Sequence, residues 1–510
     1  MPTQGKFHQE ISTVLPKDAT AKTFFQLFFT RVILMNILRE TTKYAHQQLQ
    51  AQGKDTNVWQ PVTEEEFMAW LGFLLAMGFH RLPSIRDYWS TDWVLGTQEL
   101  VKVMPQRRFE EILRYFHVND NTNMPQRGSP EFDKLYKIRP FINEIETNFL
   151  MQYHPNEHQA IIDEAMIKFK GCSSLIQYMP KKSTKRGIKM WCRADSGNGY
   201  LCDFDIYVGR TSDGIEHDLA FSVVTKLCQT LYGKWHKVFF DNFFTTLKLV
   251  EHLFENKVLS CGTFRSGRKG FPKELFDKKE IKKLQRGEVM WRRKGPIVAL
   301  TWLDNKPVHV VSTFSKPPEE GCKPPVKRRK KDGVQQEVPC PGMISAYNKY
   351  MGVVDRNDQM KSYYESRIRT KKWWPRIVFD LIERCAINAH ILESESPNHT
   401  KKAYKEFRLD LVKQLMEGYS SRKSVGQPSL SNDSRFTGRH FPSFLPLNEA
   451  GKRQERSLLL MKQKNKSRSC RMTFWLFYTT VAVFLRKRDT SIVLHTHSIR
   501  HTQADRTDTH

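Results

Sequence analysis

The feature that most constrains the fold is a series of short strand-like runs that begins near residue 159. Four runs rich in β-branched and aromatic residues, bounded by Gly, Asn or Lys, occur here: QAIID, LCDFDIYVG, KVFFD and LSCGTF. The segment HDLAFSVVTKLCQTLYG (217–233) lies between two of them, has a helical period and ends in glycine. Strands that alternate with a helix predict a mixed α/β sheet.

The regions on either side of these strands read as helices. The first 150 residues contain several apolar stripes at helical spacing, and TEEEFMAWLGFLLAMGF begins with Thr63 and Glu66 in capping-box register. A further amphipathic helix opens at Trp373-Trp374-Pro375, where proline suits the first turn. Helical stripes of this kind predict a packed core and do not by themselves indicate a function.

The segment 270–340 differs in composition from the regions on either side of it. It combines predicted strands with the basic, Pro-rich run KPPVKRRKKDG. This run fits a nuclear localisation signal and a solvated charge run equally well. After about residue 415 the chain becomes polar and Ser-rich, which is typical of a linker.

Charge is the strongest global signal in the sequence. The chain has 82 Lys and Arg against 54 Asp and Glu, a net charge of +28 and a pI near 9.7. Such a balance predicts a polyanionic partner, most often nucleic acid. Nine cysteines without a C-x-x-C pair indicate reduced thiols rather than a disulfide framework.

One apolar stretch near the end, MTFWLFYTTVAVFL (472–485), invites a membrane interpretation. It is shorter than the roughly 17–20 residues that a membrane span needs. We therefore expect no membrane association, and interpret the stretch as core or as sequence of doubtful origin.

Three carboxylate positions are candidates for chemistry. Asp163 ends the apolar run AIID, Asp241 ends KVFFD, and Asp355 and Asp358 lie in MGVVDRNDQM. Carboxylates that converge at one edge of a sheet repel each other unless a cation neutralises them, and Mg²⁺ prefers such oxygen ligands. In a basic chain, this set indicates phosphodiester chemistry on DNA or RNA. The spacing alone also fits aspartates that merely end strands.

Other acidic residues compete with this set. Asp203 and Asp205 alternate in LCDFDIYVG, which places them on one strand face, and a solvent-facing surface explains them more simply. Asp241 is the most unusual of the carboxylates because it stands among four phenylalanines in VFFDNFFTT. A charge in such surroundings must be paired, hydrogen-bonded or bound to a metal.

Several motifs in order resemble the piggyBac family of DDE transposases. They are IIDEAMIKFKG, SGNGYLCDFDIYVGR, VFFDNFFTT followed by GTFRSGRKGFP, and NKYMGVVDRNDQM with RTKKWWPRIVFDLIERCAINAHI. The resemblance covers residues 18–445 and extends to GRHFPSFLP near its end. It implies an RNase H-like catalytic core with a mixed sheet, in which Asp163, Asp241 and Asp355 hold Mg²⁺ or Mn²⁺ and Asp358 is an additional catalytic aspartate.

The resemblance also implies a domain organisation. A split helical DNA-binding and dimerisation domain flanks the core, and a small β-rich insertion interrupts it. The expected divisions are an N-terminal tail (1–17), helical part (18–158), core (159–269), insertion (270–340), core with the third aspartate (341–365), helical part (366–415), linker (416–452) and remnant with an unrelated tail (453–510).

Basic residues near these motifs are predicted to contact DNA phosphates. The predicted set is Lys181, Lys182, Lys185, Arg186 and Lys189, then Arg265, Arg268 and Lys269, then Arg367, Arg369, Lys371 and Lys372. Trp373 and Trp374 are included in the DNA-binding set because aromatic rings stack on exposed bases. Burial at the start of the amphipathic helix is the alternative for both tryptophans.

The function implied by the resemblance is cut-and-paste transposition through hairpin ends at TTAA sites. The implied partners are double-stranded DNA with terminal repeats and a second copy of the chain, and the implied location is the nucleus. The family's C-terminal Cys-rich zinc domain is degraded here, because Ser457 and Leu460 stand where cysteines are expected and only Cys470 remains. We therefore expect no zinc, and the alternative function is a domesticated or decaying DNA-binding protein without catalysis.

Overall fold

The structure is a computed structural model, and it describes most of the first 420 residues. The described backbone comprises residues 10–13, 15–180, 182, 184–209, 219–318, 325–329, 335–351, 354–366, 368–420, 476–478, 481–488 and 491–496. Side chains are described within these ranges except at 10, 11, 98, 162–164, 354, 355 and 476–496.

Helices precede the main sheet, lie between its strands and follow it. Their bounds are α1 (Ala21–Gln26), α2 (Arg31–Ala51), α3 (Glu64–Ala76), α4 (Gln98–Val103), α5 (Gln106–Tyr115), α6 (Arg139–Met151), α7 (Leu219–Cys228), α8 (Leu247–Glu255), α9 (Lys278–Lys283), α10 (Gly342–Met351), α11 (Val354–Tyr364), α12 (Trp373–Glu395) and α13 (Tyr404–Met416).

Strands fill the middle of the chain and recur near its end. Their bounds are β1 (Glu10–Ile11), β2 (Tyr153–His154), β3 (His158–Lys168), β4 (Ile176–Tyr178), β5 (Arg186–Asp195), β6 (Leu201–Ile206), β7 (Lys237–Phe240), β8 (Leu259–Thr263), β9 (Val289–Lys294), β10 (Ile297–Leu303), β11 (Pro307–Ser312), β12 (Pro325–Arg329), β13 (Gln335–Pro339), β14 (Leu476–Tyr478), β15 (Val481–Arg488) and β16 (Ser491–Thr496).

Nine of the described strands form one mixed sheet. Its order is β4-β5-β3-β7-β8-β11-β10-β9, and β6 pairs with β5. β7 runs parallel to both β3 and β8, whereas the other pairings are antiparallel. The prediction of an α/β fold with a mixed sheet is therefore confirmed.

Helices cover both faces of this sheet. Helices α7 and α8 pack on one face, and α10, α11 and α12 contact the other. Strand β7 shows the alternation, because Val238 and Phe240 belong to the core under α7 and α8 while Phe239 belongs to the core under α10. All three side chains are fully buried, as expected for a central strand.

The N-terminal helices pack against helices from the other end of the described region. Helix α1 contacts α12 and α13, and α3 contacts α13. The predicted start of α3 is only half confirmed, since Thr63 accepts the Glu66 backbone N–H but the Glu66 carboxylate binds Arg108 at 2.6 Å. An ion pair with a partner 42 residues away thus replaces the second half of the capping box.

The segment 270–340 is rich in strands, and three of them continue the main sheet. β11 pairs with β8 and β10 pairs with β9, so β9–β11 extend the sheet beyond the core strands. β12 and β13 form a separate hairpin, whose Arg328 is bound to Asp304 at 2.9 Å. Residues 323, 324 and 330–333 of the basic run lie outside the described residues.

The chain divides into two compact units, residues 1–423 and 424–510. In the second unit, β14, β15 and β16 form an antiparallel sheet, while Ser457, Leu460 and Cys470 lie outside the described residues. The seven cysteines in the described ranges are free, in agreement with the prediction of reduced thiols. Within those ranges, no helix combines the length and apolarity needed to cross a bilayer.

Candidate active site at the β3–β7 edge

The parallel pairing of β3 and β7 brings two predicted aspartate positions together along the backbone. The register pairs His158 with Lys237 and Ala160 with Phe239. Continued by two residues, it sets Asp241 level with residue 162, one position from Asp163. Adjacent strands lie about 4.8 Å apart, so these two positions are neighbours at the same end of the sheet.

Asp163 lies at an irregular point of its strand. The pairing of β3 with β5 shifts register between Ile162 and Ala165, so Asp163 falls within a β-bulge. Bulges are over-represented next to active sites because they redirect side chains. The side chain of Asp163 lies outside the described residues.

Asp355 is the second residue of α11, and this helix contacts β3. The contact brings the helix that carries the third predicted aspartate to the strand that carries the first. The side chain of Asp355 also lies outside the described residues.

Asp241 occupies the first position of a turn that connects β7 to α8. Its carbonyl accepts the N–H of Phe244 at 3.1 Å and the hydroxyl of Thr245 at 3.0 Å. Its carboxylate Oδ1 accepts the backbone N–H of Asn242 at 2.6 Å. Thr246 then caps α8 by accepting the N–H of Leu249. The sequence DNFFTT is therefore a tight turn that fixes Asp241 just past the buried strand.

Residues of strand β8 contact this turn. Gly262 pairs with Phe240, and a Cβ there would lie 2.6 Å from Thr245 Oγ1 and 2.8 Å from the Phe240 ring. The next residue, Thr263, donates to Asp241 Oδ1 at 3.3 Å. Among the described residues, every hydrogen bond to this carboxylate reaches Oδ1.

Tyr347 extends the contact toward α10. Its hydroxyl lies 3.4 Å from Thr263 Oγ1. Burial, and to a smaller extent the Asp241 charge, raise the pKa of Tyr347 to about 12, so this phenol stays neutral. A neutral hydroxyl pair thus orients one oxygen of Asp241.

The basic loop after β8 folds over the Asp241 turn. Arg265 donates to the Asn242 side chain at 2.7 Å, and Arg268 donates to the Phe243 carbonyl at 3.2 Å. Burial and then the neighbouring charge of Arg265 lower the pKa of Arg268. The two guanidinium groups therefore concentrate positive charge beside Asp241, where a phosphate would be attracted.

Asp358 belongs to a buried ionic network that sequence reasoning missed. Its Oδ1 accepts from Arg384 at 2.8 Å, and Arg384 also binds Asp380, which in turn accepts from Lys361 at 2.8 Å. The charges of this network affect the pKa of Cys192, which pairs on β5 with Ile162 of β3. The network therefore lies next to the bulge at Asp163.

A signal for this network was present in the sequence. Asp380 and Arg384 are opposite charges four residues apart on the apolar face of α12, in FDLIERCAI. Such a pair inside an apolar stripe predicts a buried ion pair.

The predicted DNA-binding residues differ in how accessible they are. Lys182, Lys185, Arg186, Arg265, Lys269, Arg369, Lys371 and Lys372 are exposed, and Arg268 and Trp373 are half-buried. Lys181 and Arg367 lie outside the described residues.

Two members of that set are buried, which corrects the expectation that they face DNA. Trp374 is 3% exposed, and its ring stacks on Phe116 with the ring centroids 5.6 Å apart. Its stacking contact is therefore made within the core. Lys189 is 8% exposed, with its ammonium 5.1 Å from the Phe243 ring. Both lie inward because they belong to elements that are covered on both sides.

The competing acids on β6 are partly buried rather than solvent-facing. Asp205 pairs with Lys226 at 2.5 Å, and Asp203 lies 3.9 Å from the buried Arg193. Burial raises the pKa of Asp203. Among the side chains that the structure describes, no group of three His, Cys, Asp or Glu residues forms a metal cluster.

Comparisons with known proteins agree with the resemblance seen in the sequence. The profile of the family described as Transposase IS4 matches residues 20–390. The human PiggyBac transposable element-derived protein 5 is 27% identical over 418 residues, which are 79% of this chain and 76% of that protein. The human PiggyBac transposable element-derived protein 3 is 30% identical over 405 residues, 74% of this chain and 63% of that protein.

A solved structure shares the fold. It is a cryo-electron microscopy structure of a piggyBac transposase synaptic complex with hairpin DNA. The TM-score is 0.68 at 22% sequence identity, with 86% of this chain and 88% of that chain covered.

Proposed function

Because the chain belongs to the piggyBac-type Transposase IS4 family, we propose that it is a DDE-type transposase that cuts and joins DNA by metal-dependent hydrolysis and strand transfer. The observation that carries this proposal is the parallel register of β3 and β7, which makes the backbones of Asp163 and Asp241 neighbours. The contact of α11 with β3 adds support for Asp355 as the third member.

In this proposal Asp163, Asp241 and Asp355 hold Mg²⁺ or Mn²⁺. The donor set fits such an ion because all three side chains offer hard carboxylate oxygens. A bound divalent pair would activate the attacking oxygen and stabilise the leaving one. Asp241 is prepared for this role, since Thr263 and Asn242 hold its Oδ1 and fix the orientation of the carboxylate.

Asp358 has a supporting role in this scheme. Its ion pair with Arg384 connects the start of α11 to the middle of α12 and so fixes the helix that carries Asp355. Arg384 is fully buried and binds Asp358 and Asp380 together, which gives α11 one preferred position. We therefore treat Asp358 as a positioning residue for the triad.

We propose double-stranded DNA with terminal repeats and a TTAA target as the substrate. The net charge of +28 and the arginines beside Asp241 support a polyanionic substrate. The solved relative is a synaptic complex with hairpin DNA, which supports the same substrate class and a hairpin intermediate here. A homodimer that works in the nucleus follows from the same proposal.

The proposed architecture is an RNase H-like core with a split helical domain. The contacts of α1 and α3 with α12 and α13 support a helical domain assembled from residues 18–158 and 366–415. The core comprises 159–269 and 341–365, and 270–340 is the insertion. In this proposal, the insertion widens the core sheet through the pairing of β8 with β11.

The test is cleavage of a DNA fragment with terminal repeats flanked by TTAA. Wild-type protein is expected to nick it in Mg²⁺ but not in chelator, and Asp241→Asn is expected to abolish nicking. Asp205→Asn is the matched control, because Asp205 is a strand aspartate paired with Lys226. Equal metal-dependent nicking by wild type and Asp241→Asn would overturn the proposal.

A second candidate is a domesticated or decaying protein that binds DNA without cutting it. The observation in its favour is the stretch RSLLLMKQKNKSRSC, in which Ser457 and Leu460 occupy positions expected to be cysteines. A gel shift on the same fragment beside a plasmid excision assay separates the two candidates. Binding without nicking or excision supports this one.

A further inference from the structure

A positively charged cavity lies beyond the end of β3, apart from the aspartate edge. It has a volume of about 520 Å³, and Trp373, Phe132 and Leu175 contribute aromatic and apolar walls. Arg127, Lys134 and Lys137 contribute its charged lining, and none of the described residues that line it is acidic. A space of this size and composition suits a small ligand that is partly apolar and partly anionic.

Among the described residues, no hydrogen bond or ion pair joins Arg127, Lys134 or Lys137 to an acidic side chain. Lys134 donates to the Val208 carbonyl at 2.8 Å, a neutral acceptor. The nearest acid in sequence, Asp133, is already bound by Arg139 through both carboxylate oxygens, at 2.7 and 3.0 Å. Arg127 is exposed, and Lys134 and Lys137 are half-buried. Cations gathered at one cavity attract a negatively charged group.

Lys372, next to Trp373 in sequence, is not one of the described lining residues, and its ammonium lies 5.2 Å from the Tyr44 ring. Loss of hydration and then the charge of Lys137 lower the pKa of Lys372. His117 adds no positive charge near pH 7, because burial and then the charge of Lys372 lower its pKa to about 4. Lys372 and Lys137 therefore form a like-charged pair that an anion would relieve.

The two adjacent tryptophans have different environments. Trp374 stacks in the core on Phe116, whereas Trp373 is half-buried and forms part of the cavity wall. An indole that lines a cationic cavity matches a nucleobase joined to a phosphate. A base reaches such a cavity only after it has left the duplex stack.

The cavity is linked to the aspartate edge by β3 itself. Arg376 of α12 donates to the carbonyl of Lys168, the last residue of β3, and Ser173 and Leu175 of the cavity follow soon after. Five residues separate Asp163 from Lys168, which is roughly 17 Å along a strand. One DNA strand is long enough to occupy both places.

We propose that this cavity binds one unpaired nucleotide of a DNA strand, with the base against Trp373 and the phosphate near Lys137 and Lys372. The proposal rests on the DNA-processing function above and adds a second contact site for the same substrate. An intact duplex contains no unpaired nucleotide, so it does not supply the ligand proposed for this cavity.

The experiment compares two DNA probes with the full chain. One probe is a blunt duplex, and the other is the same duplex with a single-stranded extension that carries 2-aminopurine. Trp373→Leu is expected to weaken binding of the extended probe about tenfold and to remove the change in 2-aminopurine fluorescence, while blunt-duplex binding is unchanged. Lys137→Gln is expected to weaken the extended probe and reduce its salt dependence by about one ion.

Three control variants separate stacking from folding and from catalysis. Trp373→Phe keeps an aromatic wall and is expected to retain most of the affinity, and Trp93→Leu alters a tryptophan that is 90% exposed and lies outside the cavity lining. Asp241→Asn is expected to bind the extended probe normally even though it does not cut. Equal affinity of wild type and Trp373→Leu for the extended probe, or equal losses on both probes, would overturn the cavity proposal. Failure of wild type to nick DNA would count against the transposase function alone.

Discussion

Asp241 and Asp380 follow nearly the same apolar residues, in KVFFD and RIVFD, yet they lie in very different environments. Asp380 is 2% exposed in the middle of α12, and Lys361 and Arg384 occupy both of its oxygens at 2.8 and 2.9 Å. Asp241 lies just past the end of β7 in a turn, and its described hydrogen bonds reach Oδ1. Both oxygens of Asp380 are hydrogen-bonded within the protein. Among the described residues, the hydrogen bonds to the Asp241 carboxylate all reach Oδ1, and we propose that Oδ2 serves a ligand.

The difference shows that burial and pairing do not follow from local sequence, and we expect them to distinguish the structural carboxylate of Asp380 from the proposed catalytic one of Asp241. In a helix interior, an aspartate stays next to its neighbours' side chains and needs internal cations. At the end of a parallel strand, the chain leaves the sheet and the carboxylate reaches the edge where ligands bind. The following predictions test this contrast, from the largest expected effect to the smallest.

Asp380→Asn is expected to destabilise the protein by about 3 kcal/mol, because Lys361 and Arg384 would remain buried without their shared anion. Urea unfolding measured by circular dichroism checks this. Asp205→Asn serves as control, and its free energy of unfolding should change by less than about 0.5 kcal/mol. Similar stability of the two variants would contradict the network's structural role.

Asp241→Asn is expected to reduce metal-dependent DNA cleavage at least about a hundredfold, since it removes a charge needed at the reacting phosphate. Its free energy of unfolding should change by less than about 1 kcal/mol, because the asparagine oxygen still accepts from Asn242 and Thr263. Cleavage rates and urea unfolding on the same preparation check both parts. A large loss of stability would place Asp241 with Asp380 as a structural residue.

Lowering the pH is expected to reduce the stability gap between wild type and Asp380→Asn. Burial alone would raise the pKa of Asp380, but Lys361 and Arg384 outweigh it and lower the pKa to about 2. A carboxyl with a depressed folded-state pKa stabilises fully above its unfolded pKa of about 3.9, and this contribution disappears as pH falls through 2. The gap should shrink by roughly 2 kcal/mol between pH 4 and pH 2. Unfolding curves across that range measure it, and a constant gap would contradict the pairing.

Arg265→Gln is expected to weaken DNA binding about tenfold and to lower its salt dependence by about one ion, since Arg265 lies beside Asp241. Arg292→Gln is the charge-matched control on β9, at the far end of the sheet. Binding titrations at several salt concentrations check this. Equal effects of the two substitutions would indicate general charge rather than a site at the Asp241 turn.

Much of the architecture followed from patterns that depend on short-range physics. Short runs rich in β-branched and aromatic residues identified β3, β6, β7 and β8, and helical spacing identified α3 and α12 with Pro375 in the first turn. The free cysteines also followed from their spacing. These features were predictable because each depends on composition or on the periodicity of a continuous stretch of chain.

The fates of individual polar residues were less predictable. The Glu66 carboxylate binds Arg108 instead of capping its own helix. Trp374 is packed in the core, whereas Trp373 lines a cavity. Both outcomes depend on partners more than 40 residues away in the chain, which no local pattern contains.

By itself, the sequence determined the strands, the helices, the strong positive charge and the family, because these reside in composition and local periodicity. Only the tertiary structure decided that β7 pairs in parallel with β3, that Thr263 reaches Asp241, and that Lys361 and Arg384 close on Asp380. Such pairings arise when distant segments bury their apolar faces together. The polar groups that meet there then bond to whatever partners the packing brings within reach.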